Sequence, residues 1–198
     1  MESPSYEVSP IPQPVAEEDV INYSRLRLLA LKTNPEAFGS TYEVQSTFTR
    51  ERWRAVIDTK ERFTIVARLV SFEEDGSSNR ILREQWVGTA SILMPEMIRA
   101  GSENPGGNES VAYAMVGMWV HPEHRRKGLG KRLIEVGMEW VRTQTEGMPD
   151  EARQVALEVH RHNGVAKALY DGAGFLEATE ENCEDPSRIP MIAGVAKN

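Results

Sequence analysis

Cysteine is nearly absent from this chain: Cys183 is the only one among 198 residues. A single thiol excludes an intramolecular disulfide and points to a reducing compartment. No His or Asp pattern around Cys183 marks it as a nucleophile, so it reads as a bystander in a polar loop. Long apolar runs are missing too; none approaches the roughly 20 residues that a membrane helix needs. The segment from Met1 to Val8 has neither a basic region nor an apolar stretch, and no secretory signal is expected there. These absences predict a cytoplasmic protein (a nuclear share is compatible) with no membrane partner. Positive charge is also in deficit: 23 Lys and Arg stand against 30 Asp and Glu, a net charge of −7. Phosphate backbones favour basic proteins, which argues against a general nucleic-acid binder.

What is present suits one folded domain. A chain of this length buries a core without staples. Residues 1–14, rich in Ser and Pro, are expected to be a partly ordered segment with a possible edge strand at Tyr6 to Val8. Residues 15–198 are expected to form the domain. The acidic run Glu17, Glu18 and Asp19 suits the first turn of a helix from Val15 to Lys32, whose apolar stripe includes Val20, Tyr23 and Leu26. Asn34 and Pro35 stop it. Thr49 to Asp58 reads as a second helix. Strands are predicted at Phe63 to Val70, Gln85 to Leu93 and Val111 to Val120, with a turn at 73–79 and a long connection at 94–110. A helix from Leu129 to Thr145, a strand from Val155 to Val159 and a helix from Asn163 to Asp171 follow. Two strands, Phe175 to Thr179 and Ile189 to Val195, close the chain. The strand–helix–strand step from 111 to 159 requires a parallel pair reached by a crossover. Hairpins join the other neighbours, which gives a mixed α/β sheet with helices on both faces.

The few basic residues are concentrated. From Arg125 to Arg132 five of eight positions are Lys or Arg and none is acidic. A local positive patch on an acidic chain suits a compact anion. A solvated helix start or a nuclear-localisation-like run would share the charge but would not need Gly128 and Gly130 among it. Glycine lets backbone approach a phosphate without a Cβ and reach positive φ. The helix that follows aims unpaired N–H groups at the anion. Two known phosphate motifs do not fit. Gly130-Lys131 is followed by Arg132, where a Walker loop needs Ser or Thr, and the dinucleotide fingerprint needs a third spaced glycine.

A second signal lies downstream: Leu157 and Val159, then Asn163, Ala166, Tyr170, and Gly174 with Phe175. Taken in register, Arg125-x-x-Gly128-x-Gly130 and this second set resemble the GNAT superfamily of acetyl-CoA-dependent N-acetyltransferases. The resemblance covers about a third of the chain and implies a mostly antiparallel sheet of six to seven strands, splayed between two central parallel strands. It also implies acetyl-CoA as co-substrate, a primary amine as acceptor, and no metal. By that resemblance, backbone at Met118, Trp119 and Val120 pairs with the pantetheine arm as an added strand would. The turn Arg125, Arg126, Lys127, Gly128, Leu129, Gly130 and Lys131 holds the diphosphate. Asn163 orients the cofactor or backbone at the splay. Tyr170 sits near the sulfur and protonates the departing thiolate. Glu158, twelve positions before Tyr170, occupies the place of the base in related N-terminal protein acetyltransferases.

Strand alternation turns Glu158 away from the apolar set Val155, Leu157 and Val159, which suits either a solvated residue or a base. An ordinary Glu near 4.3 lies about six units below a lysine-like amine near 10.4. Direct proton removal therefore costs about 8 kcal/mol, unless burial raises Glu158 towards about 6–7 or the amine arrives neutral, with a water able to relay the proton. His121, His160 and His162 are rival bases. Phe38, Tyr42 and Glu43 are candidates for the acceptor wall by family analogy. The expected activity is direct acetyl transfer to a small amine, with N-terminal or lysine protein acetylation and a non-catalytic acyl-CoA sensor as alternatives. Monomer and homodimer both fit.

Overall fold

The computed structural model describes residues 5–74, 80–101, 113–178 and 185–195. Cys183, the turn at 75–79 and the connection beyond residue 101 lie outside those residues. Among the described residues there are seven strands: β1 (Ser5–Pro10), β2 (Arg62–Glu74), β3 (Arg80–Leu93), β4 (Tyr113–Val120), β5 (Gln154–His160), β6 (Leu176–Glu177) and β7 (Arg188–Gly194). Six α-helices accompany them: α1 (Glu17–Thr33), α2 (Tyr42–Gln45), α3 (Arg50–Ile57), α4 (Pro95–Gly101), α5 (Leu129–Gln144) and α6 (Gly164–Gly172). The strands form one sheet in the order β1-β2-β3-β4-β5-β7-β6. Every pairing is antiparallel except β4 with β5.

Alternation along β2 explains the layering. Ile65 and Ala67 pack on Leu129 and Leu133 of α5. Val66, between them, packs with Val20 and Tyr23 of α1 and Trp53 and Ile57 of α3. Helices therefore cover both faces of the sheet. In α5 the buried set Leu129, Leu133, Ile134, Gly137 and Val141 recurs at helical spacing. Each large apolar side chain buried there contributes on the order of 1.5–3 kcal/mol, so tertiary packing rather than propensity holds the helix. Thr49 starts α3 as its N-cap, Oγ1 accepting from the Arg52 N–H at 3.3 Å.

Three local readings differ from the sequence-based ones. The stretch read as a connection after Leu93 holds α4, with Pro95 in the first helical position, where a missing N–H costs nothing. The loop at 36–43 gives way to α2, capped by Thr41 Oγ1 accepting from Val44 N–H at 3.3 Å. The β2–β3 hairpin runs further than expected, with paired backbone out to Glu74 and Arg80. Glu73 and Glu74 look like the start of a turn in sequence, because charge is not a strand signal.

Candidate functional site

The parallel pair is short. Only Tyr113↔Val155 and Ala114↔Ala156 are in register; beyond them β4 and β5 diverge, and β5 pairs along its length with β7 instead. On its other side β4 carries a bulge. Between Thr89↔Trp119 and Ser91↔Val116, Gly117 and Met118 oppose Ala90 alone. Gly117 has φ +65° there, a left-handed conformation that L side chains rarely adopt. The bulge frees backbone polar groups from the ladder where the splay opens. The resulting cleft, about 580 Å³, is walled by β4 from Ala114 to Met118, by β5 from Ala156 to Glu158, and by Phe38, Arg27, Tyr170 and Arg188.

Downstream of β4, the backbone turns left-handed at Arg126 (φ 61°) and again at Gly128 (φ 77°), and α5 begins at Leu129. The first helical hydrogen bond runs from Arg132 N–H to Gly128 carbonyl at 3.0 Å. The amides before it lie at the positive end of the helix, with no acidic residue in the first turn. Arg126, Lys127, Gly128 and Lys131 are exposed, while Leu129 is an anchor in the core. A Cβ placed on Gly128 meets no protein atom within 4 Å; one placed on Gly130 comes within 2.8 Å of Leu169 Cδ2. The two glycines therefore do different work: Gly128 shapes the turn, and Gly130 admits α6 against α5. Arg125 folds back, donating Nε to the Val120 carbonyl at 2.9 Å and Nη2 to Asn34 Oδ1 at 2.7 Å.

Tyr170 reaches the cleft from α6. It is buried, packs edge-on to Phe175 at 5.9 Å, and burial pushes its hydroxyl up to about 12. Glu158 borders the same cleft, with its carboxylate 3.2 Å from Arg188 Nη1. Arg188 also meets Asp185 at 3.3 Å. The other named residues divide. Met118 lines the cleft; the Trp119 side chain points to the opposite face, buried with Leu26 and Ala30, and donates its indole N–H to Asn34 Oδ1 at 3.1 Å. Val120 packs over α5. Asn163 caps α6, its Oδ1 accepting from Ala166 N–H at 3.1 Å. Phe38 is in the wall, but Tyr42 and Glu43 are not; Tyr42 instead lies under the Lys32 ammonium at 4.3 Å. None of His121, His160 and His162 lines the cleft. His160 stacks over His162 at 5.8 Å, and both its ring nitrogens are buried without a hydrogen-bond partner.

Four residues escaped the sequence reading: Arg27, Asn34, Gly117 and Arg188. Gly117 left a signal, since an isolated glycine inside an apolar strand marks a bulge. The other three become visible only when distant segments meet. His121, Glu123 and His124 also bring potential ligand atoms within 4.8 Å of one another on the turn before α5. His124 Nδ1 there is already 2.9 Å from the Tyr6 hydroxyl.

Similarity to known proteins agrees with this geometry. The acetyltransferase (GNAT) family model matches residues 33–175. No curated protein matches at a significant level. Among solved structures, an acetyltransferase of the GNAT family from Streptococcus pneumoniae superposes with a TM-score of 0.62 at 15% identity, over 97% of this chain and 100% of that one. The ribosomal-protein-S18-alanine N-acetyltransferase of Escherichia coli gives 0.56 at 15% identity, covering 98% and 96%. Arabidopsis thaliana NAA60 in complex with a bisubstrate analogue gives 0.52 at 17% identity, covering 97% and 100%. At these identities the structures share the fold. With most of the chain matched by the family model, and with the single parallel pair and its splay in place, the chain belongs to the GNAT acetyltransferase family of acyl-CoA N-acyltransferases.

Proposed function

We propose that this chain transfers the acetyl group of acetyl-CoA directly to the nitrogen of a small primary amine. One observation carries the reading: the gap that opens between β4 and β5 beyond Ala114 and Ala156 is lined by a bulged, left-handed glycine on one side and by the buried residue Tyr170 on the other. The residues present suit the co-substrate. Exposed amides of a left-handed turn and the start of α5 favour a diphosphate, and no protein atom fills the space where a Cβ of Gly128 would project.

Acetyl-CoA supplies an activated carbonyl and a thiolate leaving group. Backbone of β4 at the bulge offers N–H groups to the carbonyl oxygen, in place before any charge develops there. The cleft holds the amine against that carbonyl, and such positioning accounts for much of the rate. Tyr170, with its hydroxyl at about 12, keeps its proton at neutral pH and donates a hydrogen bond to the sulfur. The nitrogen loses one proton as the sulfur gains one. Glu158 borders the cleft and takes the nitrogen's proton directly or through a water. With no cysteine among the described residues that line the cleft, attack is assigned to the amine directly, without an acyl-enzyme. The test is thiol release from acetyl-CoA across a panel of amines, with calorimetric titration of acetyl-CoA alone. Release with at least one amine supports the reading; binding without release from any of them sinks it.

A further inference from the structure

The cleft wall holds a cation that no carboxylate among the described residues answers. Among those residues three charged side chains border the cavity: Arg27, Glu158 and Arg188. Glu158 and Arg188 answer each other at 3.2 Å. Arg27, from α1, lies over the Phe38 ring at 4.2 Å and donates Nε to the neutral Gln45 Oε1 at 3.0 Å. Its Nη1 is buried with no hydrogen-bond partner. Burial, followed by the neighbouring Arg62 cation, holds its acidity above that of an ordinary guanidinium, and the one group opposing this is Tyr23 rather than a carboxylate. An unpaired buried guanidinium is costly, and a planar carboxylate is its best-matched partner. Its seat over Phe38 and its bond to Gln45 hold the guanidinium before any ligand arrives.

We propose that Arg27 binds a carboxylate carried by the acceptor, so the substrate class is amines bearing a carboxylate at some distance from the reacting nitrogen. This rests on the acetyl-transfer reading for the nitrogen's fate, though not for the anion site itself. The same chemistry disfavours polyamines, which would bring a second cation to Arg27.

The experiment compares a graded series of ω-amino carboxylates with the matching ω-amino amides, following thiol release at saturating acetyl-CoA. One charge-assisted hydrogen-bonded contact is worth about 10- to 100-fold. The wild-type protein is expected to favour the best carboxylate over its amide by about that factor in kcat/KM. Arg27→Gln is expected to raise KM for carboxylates by a similar factor and to affect the amides far less, with acetyl-CoA affinity unchanged; Arg27→Lys restores part of the preference. Equal use of carboxylates and amides by the wild type overturns the inference, whatever the variants do. So does an Arg27→Gln loss that falls equally on both series. If no amine releases thiol, the acetyl-transfer reading falls, and calorimetry of the same ω-amino carboxylates then decides the anion site. Binding that disappears in Arg27→Gln upholds it; no binding to the wild type ends it.

Discussion

Burial disfavours the phenolate and pushes the Tyr170 hydroxyl up to about 12. Tyr170→Phe is expected to lower turnover by about 10²–10⁴ with acetyl-CoA affinity unchanged by calorimetry. Unchanged turnover would remove the residue from the chemistry. The sign of its pH linkage is definite. With the folded value raised above the unfolded one, its contribution to stability is complete below 10 and is lost as pH climbs towards about 12. Alkaline unfolding followed by circular dichroism should therefore be shallower in Tyr170→Phe. This residue was legible in the sequence from its place after Asn163 and Ala166 and before Gly174 and Phe175. Arg27 was not. It reads as one more polar position on an amphipathic helix, and only the fold brings it over Phe38 and against the cleft. Glu158 was legible as a position, but its pairing with Arg188 depends on the β5–β7 register, which places His160 opposite Arg188 and Glu158 opposite Pro190.

Among the elements, the turn into α5 is the best specified. Positive φ at Gly128 costs an L residue about 1–2 kcal/mol, and the space its Cβ would enter is free of protein atoms. Gly128→Val is therefore expected to lower stability modestly and acetyl-CoA affinity by about 10-fold or more; near-normal affinity in calorimetry would contradict a diphosphate at this turn. Asn34 is a different device. One side-chain oxygen accepts from Trp119 Nε1 at 3.1 Å and Arg125 Nη2 at 2.7 Å, which fastens the end of α1 to the end of β4. Asn34→Ala strands a buried indole N–H and is expected to cost about 1–3 kcal/mol, read as a fall in Tm of about 2–4 °C per kcal/mol. In sequence Asn34 announced only a helix stop before Pro35. Local spacing carries α5 and its glycine turn; it carries no record of a bond that spans ninety-one positions. The short α4 was missed for a related reason, because it lies in a stretch whose glycines dominate the pattern.

Across the whole molecule the sheet consists of β1 to β4 on one side and β5, β7 and β6 on the other, joined by two registered pairs and a shared core under α5 and α6. A ligand laid along the gap bridges both parts. Acetyl-CoA at about a hundredfold over its Kd is expected to stabilise the fold by about 2.7 kcal/mol, a rise in Tm of about 5–10 °C. No shift at that concentration would mean that the gap is not its seat. Element order and the parallel step were readable from strand–helix–strand spacing, because a crossover of fixed hand leaves few other arrangements. The extent of the splay was not, since it depends on where pairing stops and not on which residues pair.

Tyr6 belongs to the edge strand, yet it meets the turn before α5 twice and α5 itself once. Lys127 Nζ donates to its hydroxyl at 2.8 Å, that hydroxyl lies 2.9 Å from His124 Nδ1, and Arg132 Nη1 donates to its carbonyl at 3.0 Å. Tyr6→Phe would therefore free the Lys127 ammonium and His124 Nδ1 of this shared partner while leaving the residues that line the cleft in place.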